Sequence, residues 1–129
     1  MGAAGDGWAV GTIDEMGQGP GFRKVRRALG VTAFGVNAVV MPEGIESGFH
    51  YHDEQDELYF VHRGRIEITF GDGTSQLLEE GGLAHVAAAT HRRLRNAGEG
   101  EAVYLCVGAR DGYVGRDAHV PDGDQRVRS

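Results

Sequence analysis

Six histidines occur in the chain, and two of them, His50 and His52, fall with Glu57 inside one stretch, "GIESGFHYHDEQDELYFVHRG", residues 44–64. Imidazole nitrogens and a carboxylate oxygen together suit first-row transition ions, and two histidines with one carboxylate leave coordination positions open for water or substrate. In an extended strand, residues two apart face the same side, so His50 and His52 converge while Tyr51 points away. Glu57 lies five residues past His52, an odd separation that an unbroken strand would turn to the opposite face. The polar "DEQD" between them therefore reads as a turn, and the stretch as a hairpin whose second strand, "ELYFV", carries Glu57 back to the histidines. The competing reading is a solvated polar hairpin, since Asp53, Glu54 and Asp56 crowd the same turn. A further donor is His91 in "AAATHRRLRN": alone it is an ordinary half-buried histidine, but the alanines before it would let a strand pass close to an ion.

These residues need a scaffold, and composition points to strands. The chain holds 22 glycines among 129 residues, over twice the average usage of about 7%, with no collagen-like period. Proline is scarce, and no long segment shows apolar residues at helical spacing, so the turns join strands. "VTAFGVNAVVMPEG" is rich in β-branched residues and ends at Pro42, as a strand buried on both faces would. "RIEITF", residues 65–70, sets Ile66, Ile68 and Phe70 on one face and Arg65, Glu67 and Thr69 on the other, and "GDG" follows as a hairpin turn. The region from Ser75 to Gly112 continues as short strands separated by "EEGG", "NAGEGE" and "ARDG". Such a pattern indicates an all-β sandwich or barrel, in which closure removes exposed sheet edges. Residues 1–21 read as an irregular arm in which only "WAVGTI" pairs as a strand, residues 22–30 admit either a helix or a strand, and the tail 119–129 reads as polar and frayed.

The length fits one domain. With 25% charged residues and no apolar run near the roughly 20 residues of a membrane helix, no membrane role is expected. A net charge of −6 argues against nucleic acid, although "HRRLRN" is a local basic cluster that suits a small anion. The lone Cys106, in the apolar run "AVYLCVG", excludes an internal disulfide and reads as an inert buried thiol. No basic start followed by an apolar stretch opens the sequence, which sets the expectation of a cytoplasmic protein. Ser47, Ser75 and Ser129 lie in no nucleophile elbow.

The spacing Gly44, His50, His52, Glu57, Gly64 resembles the first conserved motif of the cupin superfamily throughout. The second cupin motif is met by Gly81 or Gly82, His91 and Asn96, with Val86 where proline is common and Asn96 one residue farther from the histidine than the commonest spacing. The resemblance covers residues 44–96. It implies a single-domain jelly-roll (cupin) β-barrel of two packed antiparallel sheets, holding one divalent transition metal (Fe, Mn, Ni, Cu or Zn) on His50, His52, Glu57 and His91. It also implies a homodimer in which the arm 1–21 docks on its partner. The superfamily includes dioxygenases, isomerases, decarboxylases and lyases, as well as proteins that only bind small ligands.

The two-residue period extends this set. If Glu57 faces inward, so do Tyr59 and Val61; if His91 does, Arg93 and Arg95 follow. Tyr59 and Arg93 are therefore the candidates for orienting a small polar or anionic substrate. An inward arginine beside a divalent ion needs a carboxylate or an anionic ligand, while the alternative places the three arginines in water around the rim. Asn37 and Tyr104 are candidates for the cavity wall, and His62, His85 and His119 for the surface.

Overall fold

The computed structural model describes residues 2–121. In chain order the elements are β1 (Ala3–Gly5), β2 (Trp8–Val10), a 3-10 turn (Ile13–Met16), β3 (Gly21–Arg23), α1 (Val25–Leu29), β4 (Gly35–Met41) and β5 (Tyr51–His52), followed by β6 (Asp56–Arg63), β7 (Ile66–Phe70), β8 (Ser75–Leu78), β9 (Leu83–Val86), β10 (Arg92–Asn96), β11 (Ala102–Ala109) and β12 (Ala118–His119). A five-stranded sheet in the order β3-β4-β11-β6-β9 packs on a three-stranded sheet, β10-β7-β8, with every pairing antiparallel. This is the jelly-roll of two packed sheets.

Alternation decides which side chains fill the space between the sheets. Ile66 and Ile68 of β7 and Leu94 of β10 meet Val39, Met41, Tyr59, Val61 and Tyr104 of the larger sheet in one buried cluster. Burying each large aliphatic side chain contributes about 1.5–3 kcal/mol, so this inner layer dominates the fold's stability. The outer face of the larger sheet is covered differently: Val25 and Leu29 of α1, with Ile13 and Met16, pack on Val36, Ala38, Leu105 and Val107. Residues 22–30 thus take both of the admitted forms, a strand to Arg23 and then one short helix.

The arm expected to be irregular instead contains a β1–β2 hairpin, in which Ala3 pairs with Val10 and Gly5 with Trp8. "WAV" within it is a strand, but "GTI" turns away into the 3-10 segment. At the other end His119 lies in β12, paired with Tyr51, while the expected polar tail beyond residue 121 falls outside the described residues.

The stretch that holds His50, His52 and Glu57 is not a hairpin. Segment 45–50 runs beside β10, with Ser47 N–H bonded to Leu94 O at 2.8 Å and His50 N–H to Arg92 O at 2.9 Å. β5 then pairs with β12, and β6 joins the other sheet between β11 and β9. The polar turn is therefore a crossover between sheets, and the histidines and Glu57 approach from opposite walls of the roll. At the end of β6, Gly64 takes φ 84°, and a Cβ there would stand 3.0 Å from Ala102, so glycine is required both by conformation and by space.

Candidate metal centre

His50, His52 and Glu57 each offer one donor atom, and these atoms lie within 4.8 Å of one another. His50 Nε2 is 3.9 Å from Glu57 Oε1, and His52 Nε2 is 3.2 Å from Oε2. The two imidazoles meet edge to face with centroids 5.3 Å apart. Glu57 and His52 are buried, whereas His50 keeps a partly open edge. Tyr59, two residues along β6 and on the same face, donates its hydroxyl to Glu57 Oε1 at 2.5 Å.

His52 is fixed from behind. Its Nδ1–H donates to Asp117 Oδ1 at 2.8 Å, and that carboxylate also accepts from Gln55 Nε2 at 2.6 Å and from the backbone N–H groups of Glu54 and Gln55. The bond to Asp117 assigns the proton to Nδ1 and leaves a lone pair on Nε2. Nε2 is buried and has no hydrogen-bond partner among the described residues, despite its proximity to Glu57 Oε2. Two electron-rich atoms held so close in a buried site require a cation between them, either a proton or a metal ion. The donor set and the orphaned Nε2 both fit a divalent transition ion.

The charges call for a cation at this point, proton or metal. Burial works against ionising Glu57, but attraction to the two imidazoles and the Tyr59 hydroxyl outweighs it and holds the carboxyl well below its usual range. Burial pushes His50 down. It also disfavours charge on His52, but Glu57 and Asp117 overcome it and raise His52 above the ordinary histidine value. Burial keeps Tyr59 protonated, so its hydroxyl acts as a donor.

Residues 37–108 match the family model described as "Cupin domain". The chain belongs to the cupin family. No curated protein matches it. Among solved structures it is similar to a protein with a double-stranded β-helix domain from Klebsiella pneumoniae subsp. pneumoniae MGH 78578, at TM-score 0.71 and 18% identity over 85% of this chain and 94% of that one. A putative sugar phosphate isomerase from Acidithiobacillus ferrooxidans ATCC 23270 gives 0.66 and 21%, over 78% and 64%. The cupin domain of Schizosaccharomyces pombe Cnp3 gives 0.57 and 22%, over 61% of this chain, which spans only 57% of that one. At these identities the likeness is one of fold.

Within this cupin the second motif is arranged differently from its expectation. His91 stands outside the trio, stacked on Tyr51 with ring centroids 4.5 Å apart and 9° between planes. Arg93 and Arg95 share its face, as the two-residue period requires, but that face is the outer one. Arg93 Nε pairs with Glu46 at 3.3 Å and its guanidinium lies over Phe49, while Arg95 pairs with Glu67 at 2.9 Å. The cause is register: β10 begins at Arg92 and pairs Arg92 with Phe70 and Leu94 with Ile68, which turns Arg92, Leu94 and Asn96 inward. Arg92 is 0% exposed, with Nη2 at 3.5 Å from Glu57 Oε1 and Nη1 donating to Thr90 O at 2.8 Å. It stands four residues before Asn96, the spacing that His91 misses by one.

A cavity of about 820 Å³ opens onto His50, Glu57 and Tyr59, with Asn37, Tyr104 and Cys106 on its wall. Cys106 packs against the apolar cluster, as its run predicts, and also borders this cavity, where burial and then the Glu57 charge hold its thiol protonated. Three groups that shape the centre were not singled out as candidates in the sequence: Gln55, Arg92 and Asp117. Only Arg92 leaves a local trace, in its distance to Asn96.

Proposed function

We propose that this cupin binds one divalent transition ion through His50, His52 and Glu57 and acts on a small anionic molecule admitted by the adjoining cavity. The observation that carries this reading is the buried His52 Nε2, oriented by Asp117 and lacking a hydrogen-bond partner among the described residues. When bound, such an ion supplies Lewis acidity toward a substrate oxygen or a position for dioxygen beside the substrate. The chain's own groups divide the remaining work. Asp117 holds the His52 proton on Nδ1, Tyr59 donates to Glu57 Oε1, and the apolar layer below keeps bulk water from the buried side. Isomerase-like, lyase-like and dioxygenase-like reactions are all compatible with this division. Metal analysis of protein purified without a histidine tag, together with a cobalt titration read by visible absorption, tests the reading. One ion per chain, lost in His52→Ala, is the expected result; no bound transition metal and no metal-induced rise in Tm overturns it.

A non-catalytic ligand-binding role is favoured by a separate observation, the Arg92 guanidinium 3.5 Å from Glu57. That pair supplies a positive charge to the carboxylate without any metal. Turnover screens on the metal-loaded protein separate the two, since only the first reading requires product. The assembly we propose is a homodimer: Leu58 and Leu83, on the neighbouring strands β6 and β9 at the edge of the larger sheet, are each at least 42% exposed. Light scattering of the purified protein tests it. No helix among the described residues is long and apolar enough to cross a membrane.

A further inference from the structure

Arg92 is the feature that the metal reading does not absorb. Its Nε and Nη2 are buried with no hydrogen-bond partner among the described residues. Among the described residues its side-chain hydrogen bonds run from Nη1 to the carbonyls of Ala88 and Thr90, and its ion-pair partner is Glu57. A permanent cation is thus held beside the residues that would hold a divalent ion.

Charge counting then constrains what else must bind. Neutral imidazoles contribute nothing, so the two charges of an ion and the one of Arg92 face the single charges of Glu57 and Asp117. One positive charge is left uncompensated in a site where burial limits screening. Lys24, Arg26, Arg27 and Arg116 also line the cavity, against the carboxylates of Glu46 and Glu57. His50 and Glu57 border that cavity while Arg92 and His52 do not, so the compensating group approaches the ion from the cavity side.

Resting on the metal reading, we infer that Arg92 makes metal binding depend on a co-bound small carboxylate, whose single negative charge completes the centre. Metal and carboxylate therefore bind with positive coupling, and by linkage each tightens the other to the same degree. Arg92 acts here as a positioning and specificity-determining charge, without touching the anion.

The test is a Co2+ titration of the full chain by calorimetry and visible absorption, at fixed ionic strength, in chloride, acetate and inorganic phosphate, with correction for Co2+ complexed by the buffer anion. In the wild type, saturating acetate is expected to raise Co2+ affinity roughly 5- to 150-fold over chloride. Arg92→Met is expected to bind Co2+ more tightly than wild type in chloride and to lose the acetate effect. Arg92→Lys retains it, because the charge is kept. Equal wild-type affinity in acetate and chloride overturns the inference while leaving the metal reading intact, and phosphate outperforming acetate overturns the choice of a monocarboxylate. Absence of Co2+ binding in every buffer removes the metal reading and this inference with it. Should Arg92→Met fail to fold, the comparison of the three anions on wild type and Arg92→Lys still decides.

Discussion

Asp117 and His52 are 65 residues apart in sequence, yet their side chains meet at 2.8 Å, and that one bond determines which nitrogen of His52 is free to bind. A carboxylate behind a ligating imidazole fixes its tautomer and ring orientation. Asp117→Ala should therefore weaken Co2+ binding by about 10- to 100-fold. Asp117→Asn should lose less, because an amide oxygen still accepts from Nδ1. Cobalt titrations beside circular dichroism measure the effect; unchanged affinity in a folded Asp117→Ala protein rules out this role.

Tyr59 and Glu57 form a second buried pair on one strand. Removing the hydroxyl in Tyr59→Phe leaves the ring packed against Tyr104 but deprives a charged carboxylate of a donor. Hydrogen bonds to charged groups contribute about 1.5–3 kcal/mol, so urea unfolding should show a loss in that range. A change below about 0.5 kcal/mol would mean that water replaces the hydroxyl.

The inner layer makes its own demand. Ile68 is fully buried between the sheets and pairs across with Leu94. Ile68→Ala should cost about 2–5 kcal/mol, the transfer term plus an unfilled cavity. The exposed Leu77, in β8 of the same sheet, should cost under about 1 kcal/mol on the same change. Chemical denaturation of both variants checks the contrast.

Much of this design was legible in the sequence because it is local. Alternation in "RIEITF" gave β7 and its inward isoleucines, and the odd distance from His52 to Glu57 required a break that the structure supplies as a crossover between sheets. Which face of "HRRLRN" turns inward is not a local matter. It depends on where β10 starts pairing with β7, and a shift of one residue exchanges His91 and Arg93 for Arg92. Asp117 was out of reach for another reason: a single carboxylate in a loop carries no periodicity, and its partners lie 62 to 65 residues away. The N-terminal hairpin is three residues per strand, too short for alternation to register.

The turn between β7 and β8 gives a pH dependence with a defined sign. The Asp72 carboxylate accepts from Thr74 N–H at 2.9 Å and from the Thr74 hydroxyl at 2.7 Å, which hold it below the ordinary aspartate value, the backbone bond contributing most. A group depressed on folding adds stability that is present above its unfolded pKa, about 3.9, and is lost as pH falls through the folded value. Wild type should therefore exceed Asp72→Ala in Tm at pH 5–8, with the gap closing below about pH 4. A gap that persists unchanged to pH 2 would assign the effect to turn geometry instead of charge.

His91 offers the sharpest test of how the second motif is used. Its ring lies flat on Tyr51, which also stacks with His119 at 5.3 Å, so the three rings cluster outside the trio. Loss of such a stack costs about 0.5–1.5 kcal/mol, and His91→Ala should show that drop in thermal or urea unfolding. Co2+ affinity should stay within about threefold of wild type, whereas His52→Ala should lose more than the roughly 10- to 100-fold that a supporting group costs. If His91→Ala instead weakens Co2+ as severely as His52→Ala, the metal-bound state draws His91 off Tyr51 and into the centre. That outcome would also require Arg92 to leave Glu57, because the two residues are adjacent on β10's approach and face opposite sides.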